Sequence, residues 1–446
     1  MKKLALLLTA ALLVSVLLVP AASAQGITWT SGFQVQNLSA SDASITIHYY
    51  NQDGTEAIAA VGDTVPAMGS KTYFPIHAAD GFNGSVVIES GTPDLVAIAN
   101  TLGNSPQYAA STESFAQGGT PFKLPLIMRN NGGYYTWFNV QNVGTAPASV
   151  TVQYIPGSSG TAYTSPSVSI QPNAAHTFDQ HDMTDLGSTF VGSAVVTSDQ
   201  PIVATVMQVG ETYKNMMGYN GFAGGSMTVS LPLVMANNSG YYTGFQVQNV
   251  GTGSATVTAD FGTNIAGSFA PTSESVTLAP NASHTFLQAG GQWTQKYVGS
   301  ATISATQDVV AIVNQVNMTP IALGTAYNGF DPAGATNKVS GPLIMANNSG
   351  YFTGFQVMNV GGSAASITCS YGANTAGSFA PPSESGTINP GDSYNSIQSG
   401  GAWGSNKYVG SVVCEAGAGA KIVMIVNQIN PSAAGDQFMT YGGFNF

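Results

Sequence analysis

Residues 231–251 read LPLVMANNSGYYTGFQVQNVG, and the chain repeats them. The stretch returns at 124–144 as LPLIMRNNGGYYTWFNVQNVG and at 342–361 as PLIMANNSGYFTGFQVMNVG. Residues 32–38, GFQVQNL, keep only its second half. Pro125, Pro232 and Pro342 stand 107 and 110 residues apart, the length of one small domain. A propeller blade repeats at about half that length, which disfavours a propeller. Inside the stretch Phe245 and Val247 alternate with Gln246 and Gln248, the period of a strand with one face on a core.

Further alternating runs (255–259, 297–303) recur along the chain, punctuated by Gly, Pro, Asn and Asp clusters about every ten residues. No stretch beyond the N-terminus carries a 3.6-residue period over ten residues. Seven or eight short strands per roughly 100 residues predict an all-β fold of four tandem antiparallel immunoglobulin-like β-sandwich domains after a cleaved signal peptide. The boundaries read 1–24 for the signal peptide and 25–115, 116–222, 223–330 and 331–446 for the sandwiches. Glycine-rich joints at 116–119 and 223–226 suggest beads on a string.

The pieces NVGTGSATVTADFG (249–262), VTLAPNASHTF (276–286) and YVGSATISA (297–305) resemble bacterial immunoglobulin-like modules of the cell-adhesion-related CARDB kind. Those modules share an N-x-G strand end and an L-x-P-G-x-S turn, and the resemblance covers most of each repeat. The turn glycine is Asn173 or Asn281 here, and glycine only at Gly391. The resemblance implies surface display, spacing and adhesion rather than catalysis.

Lys2 and Lys3, the apolar run 4–18 and the small-x-small Ala22-Ser23-Ala24 read as an export leader, which places the protein outside the cell or on its surface. No later run is long and apolar enough to predict a membrane-spanning helix, and no sorting motif or terminal anchor is visible. Formal charge is −11, and only 7% of residues are charged. Amide, hydroxyl and glycine surfaces must then keep the chain in water, and weak repulsion permits close self-association. The acidic balance argues against nucleic acid as a partner.

Cys369 and Cys414, both in the last repeat, predict one disulfide, with two buried free thiols as the competing reading. His176, Asp179, His181 and Asp182, within 176–185, form the most suggestive cluster for metal-ligand chemistry. The equivalent segment 284–288 has lost every carboxylate, which favours a polar loop and no cofactor. Neither G-x-S-x-G, H-E-x-x-H nor a P-loop occurs, and Glu274 and Glu384 are equivalents in separate repeats, so no enzyme is predicted. Tyr134, Tyr135, Tyr241, Tyr242, Tyr351 and Phe352 follow an Asn-Asn-x-Gly turn and are candidate ligand or assembly contacts. Phe444 and Phe446 resemble the last strand of an outer-membrane barrel, but the same Tyr-x-Gly-Phe pattern closes internal repeats.

These features predict a secreted structural surface protein, a subunit of a layer, sheath or filament or an adhesin. It would self-associate as a homo-oligomer or polymer through strand edges whose uncharged Gln, Asn and Thr rows lack guarding lysines. The alternative is an array of carbohydrate-binding modules that hold cell-surface polysaccharide on the tyrosine-bearing turns. The P-L-[IV]-M half of the stretch occurs three times and the GFQVQN half four times, so one terminal sandwich lacks a strand. Residues 26–30 could fill that place, or a neighbouring molecule could donate a strand to it.

Overall fold

In a computed structural model, the described residues are 27–446, apart from 80–81, 92–93, 105–106 and 319–321, together with the backbone of 12–18. Lys2, Lys3 and Ala22-Ser23-Ala24 of the expected leader lie outside the described residues. The described chain is all-β with antiparallel sheets, and its helical turns are two short 3-10 pieces, Thr184–Leu186 and Pro332–Gly334. No described helix is long and apolar enough to cross a membrane.

Each repeat makes two sheets that face one another across a core. In the second repeat Phe122–Arg129 lies beside Phe190–Ser198 in one sheet, and Tyr134–Asn142 pairs with Ile202–Gly210 in the other. Phe138 and Val140 from one sheet meet Val150, Val152 and Tyr154 from the other. In the third repeat the single strand Tyr297–Asn317 runs through both sheets and joins them. Four strands of each repeat matter below. The leading strand carries P-L-[IV]-M: Phe122–Arg129, Ser226–Ala236 and Lys338–Ala346. The amide strand carries the F-x-V-x-N pattern: Trp29–Asn37, Tyr134–Asn142, Tyr241–Asn249 and Phe352–Asn359. The inner strand pairs with it: Leu95–Gly103, Ile202–Gly210, 309–317 and Ile422–Ile429. The axial strand follows the inner one: Tyr108–Glu113, Asn215–Asn220, Leu323–Asn328 and Phe438–Gly442.

The proline of the leading strand marks a bulge. Register slips there, so that Pro125 and Leu126 together oppose Ser193, as Pro232 and Leu233 oppose Ser300 and Pro342 and Leu343 oppose Ser411. Proline has no N–H to lose at such a place. The leucine's orphaned backbone groups are met by the tyrosine of the Tyr-x-Gly-Phe turn. Tyr327 donates its hydroxyl to the Leu233 carbonyl at 2.7 Å and accepts the Leu233 N–H at 3.2 Å. Tyr219 with Leu126 and Tyr441 with Leu343 repeat the arrangement.

The turn glycine that the second and third repeats lack is also explained. Asn173, Asn281 and Gly391 have φ of 62°, 61° and 79°, and Met68 takes the equivalent place at 52°. Asparagine tolerates the left-handed region better than other side chains, so it can stand in for glycine.

Cys369 and Cys414 form a disulfide, and both are buried. They sit directly opposite on adjacent strands of one sheet, Ala365–Tyr371 and Tyr408–Ala416. The bridge fastens two neighbouring strands rather than one sheet to the other.

The four modules do not form a string. The axial strand of each module packs against the axial strands of both its neighbours, the fourth against the first, which closes a quasi-fourfold ring. Ile312 of the third module enters the core of the second, Ile425 that of the third, and Ile98 that of the fourth. The amide rows expected to face solvent are consumed by this closure. Gln34, Gln36, Gln141, Gln246 and Gln248 are all buried between modules.

Candidate functional site

Three of the four module junctions hold an equivalent cleft. Between the second and third modules it has a volume of about 420 Å³, between the third and fourth about 240 Å³, and between the fourth and first about 330 Å³. The leading strand of one module supplies one wall through Leu126 and Met128, Leu233 and Met235, or Leu343 and Met345. The amide and inner strands of the next supply the other through Gln246 and Asn314, Gln356 and Asn427, or Gln34 and Asn100. Gly244, Gly354 and Gly32 lie on the floor of these clefts. A Cβ at Gly32 would fall 2.9 Å from Phe74 Cδ2.

The aromatic pairs singled out from sequence divide between junctions. The first member of each pair lies at the junction with the following module and the second at the junction with the preceding one. Tyr134 therefore lines the same cleft as Tyr242, and Tyr241 the same cleft as Phe352, while Tyr351 lines the third. Tyr134 accepts a hydrogen bond from Asn215 Nδ2 at 2.9 Å and stacks on Tyr213, centroids 5.5 Å apart. Burial pushes the Tyr134 and Tyr351 hydroxyls up to about 12 and also raises Tyr241 and Tyr242, so all four remain neutral donors near pH 7. Tyr135 is buried, edge-on to His181 at 4.8 Å.

A paired amide closes the inner side of these junctions. Gln208 Nε2 donates to Asn314 Oδ1 at 2.9 Å, and Asn314 Nδ2 returns a bond to Gln208 Oε1 at 2.7 Å. Gln315 and Asn427 do the same at 3.1 and 3.0 Å, and Gln428 and Asn100 at 3.4 and 3.1 Å. The last pair joins the fourth module to the first.

The first junction is different at every one of these positions. Trp137 replaces the floor glycine and meets Trp29 edge-on at 6.4 Å. Thr101 and Met207 stand where the Gln–Asn pair would be, Thr205 where the isoleucine would be, and Thr112 where the bulge-binding tyrosine would be. Setting the repeats beside one another exposes each of these exceptions in the sequence. Their meeting at one junction follows only from the ring.

The histidine and aspartate cluster does not converge. His176 lies on the strand Ala175–Asp179, edge-on to Phe178, and burial lowers its pKa. Asp179 accepts the His181 N–H at 2.8 Å, and burial raises its pKa. His181 lies between Asp182, at 2.7 Å, and Glu211, at 3.5 Å. Among the described residues no three His, Cys, Asp or Glu are grouped to hold a metal ion. Glu274 braces Trp293 and Gln292, and Glu384 accepts from Tyr371 and Tyr394.

No family model matches the chain, and no curated protein matches it. Among solved structures it is similar to Thermotoga maritima 1070 at 18% identity and a TM-score of 0.21, over 24% of this chain and 94% of that one. It is also similar to a glycoside hydrolase family 32 structure from Bifidobacterium adolescentis at 8% identity and a TM-score of 0.16, over 93% of this chain and 99% of that one. At these TM-scores neither likeness carries an argument.

Proposed function

We propose that this is an exported, non-catalytic surface protein of adhesion type. In this reading four immunoglobulin-like modules close into a rigid ring that presents binding clefts at its junctions. The observation that carries it is the pairing of Tyr134 with Tyr242 across one cleft and of Tyr241 with Phe352 across the next, each beside amide side chains. A layer or filament built through amide rows has lost its support, because those rows are buried inside one chain. A disulfide suits an oxidising compartment outside the cytoplasm.

The ligand class that fits is a hydroxyl-rich polysaccharide. Aromatic faces cover the apolar side of a sugar ring, and amides beside them meet its hydroxyls. Binding to cell-wall and extracellular polysaccharides is expected, at least tenfold weaker in Tyr242→Ala. In Gly244→Trp, which copies Trp137, the largest cleft is filled and binding there is lost. Absence of polysaccharide binding, or binding unchanged in both variants, would overturn the reading. Scattering in solution checks the frame: a closed ring of this length has a radius of gyration of about 22 Å, and four modules in a line roughly twice that.

A further inference from the structure

The three later modules each fill the edge of the strand carrying V-G-S or its equivalent with their own leading strand. The first module has no such segment after residue 26. Its place, beside Gly84–Ser90, is taken by residues 12–18, antiparallel and in continuous register from Leu12 opposite Ser90 to Leu18 opposite Gly84. This is the apolar heart of the expected export leader. Residues 27–30 cannot replace it. Thr28 is tied to Asn104 at 2.8 Å, and Trp29 opens the amide strand opposite Gly103.

Two independent features set this seat apart. The pairing of 12–18 has no Pro-Leu bulge, and Thr112 stands where the other modules have the tyrosine that serves one. The neighbouring face of the second module also holds two buried polar atoms without partners where the other modules have glycine and isoleucine, Trp137 Nε1 and Thr205 Oγ1. Beside them Asn139 Nδ2 and Gln141 Oε1 are unpartnered, as Gln356 Nε2 and Gln248 Oε1 are at other junctions. The equivalent faces of the other modules pack on a leading strand. The two unmatched groups peculiar to this face, Trp137 Nε1 and Thr205 Oγ1, signal an occupant with hydrogen-bonding side chains, since each unmade bond costs stability.

We propose that, in the exported protein cut after Ala24, the Gly84–Ser90 edge docks a strand from a different polypeptide. The donor is an extended segment of about seven residues, apolar on the side facing Val86 and Ile88 and bearing hydroxyl or amide groups on the side facing Trp137, Asn139 and Thr205. A second copy of this chain is the weaker donor, because every P-L-[IV]-M strand is already paired within its own module. The site is separate from the junction clefts and stands or falls without them.

The test uses the secreted, processed protein and two synthetic peptides. One carries LLVSVLL flanked by lysines; the other places Thr and Asn at alternate positions of the same strand. Hydrogen exchange over residues 84–90 is expected to be fast in the processed protein alone. It should slow at least tenfold with peptide, and more with the second than the first, while a scrambled peptide changes nothing. Should the processed chain fold poorly alone, its refolding yield with matched and scrambled peptide gives the same comparison. The proposal is overturned by strong protection of 84–90 without any peptide, by a peptide effect absent from both readouts, or by a secreted protein whose N-terminal sequence still includes residues 12–18.

Discussion

Gln208 and Asn314 satisfy each other so fully that neither can be changed alone without loss. Gln208 is buried, and a buried amide without partners pays its whole desolvation penalty. The first junction avoids this by changing both positions together, to Thr101 and Met207. Asn314→Met alone is therefore expected to cost about 1–3 kcal/mol in urea unfolding, as an unpaired buried amide does. Adding Gln208→Thr, which copies the first junction, should recover most of that loss. Single costs that simply add in the double variant would show that the two amides are not coupled.

At the scale of the element, the leading strand depends on a residue some ninety positions away. Tyr327→Phe keeps the ring and removes only the hydroxyl that meets both backbone groups of Leu233. The expected loss is about 1–3 kcal/mol in global stability, with faster amide exchange across 226–236; Tyr213→Phe, at an exposed site, should change little. The strands themselves were legible in sequence because period-two alternation and repetition are local signals. The cysteine pair was legible on compartment and number. That the leading half of the repeat occurs once less often than the amide half was legible too, since repeats can be counted. Which end is short of it depends on whether that strand opens or closes its module, and counting does not decide this. The facing of the amide strand was misread for a physical reason. Gln246 and Gln248 are polar, and a polar row on a strand reads as solvent-facing. Here its partner is the surface of a neighbouring module, a hundred residues away and equally uncharged. The aromatic pairs were picked out, but their division between two junctions was not, because turn chemistry fixes the hairpin and not what the hairpin leans on. Trp137 was the missed exception: it stands where the other repeats have glycine.

Over the whole molecule, closure places two carboxyl groups near the axis, and among the described residues no cationic side chain forms an ion pair with either. Asp436 is buried and accepts N–H groups from Met216, Gly324 and Phe438, which belong to three different modules, at 2.9, 3.2 and 3.3 Å. Burial nevertheless drives its pKa well above the usual carboxylate range. Glu113 accepts the Gly442 N–H from the fourth module, and burial of its carboxyl pushes it up to about 7. Both groups hold a proton more tightly in the folded ring than in the unfolded chain. Their contribution to stability is thus complete below the ordinary carboxylate pKa of about 4 and is lost as pH rises through the folded values. His176 and His284, lowered by burial, act oppositely and weaken the fold as pH falls through about 6.5. Asp63, whose partner Lys71 lies at 2.6 Å, has a lowered pKa and matters only below about pH 4. The raw profile mixes these terms, so the difference between proteins is the informative quantity. Glu113→Gln with Asp436→Asn keeps the acceptor oxygens and removes both titrations. Relative to this double variant, the native protein should lose a few degrees of melting temperature between pH 5 and pH 8. Parallel profiles for the two proteins would mean that the axial carboxyls ionise as they do in water, and that the ring is not closed around them.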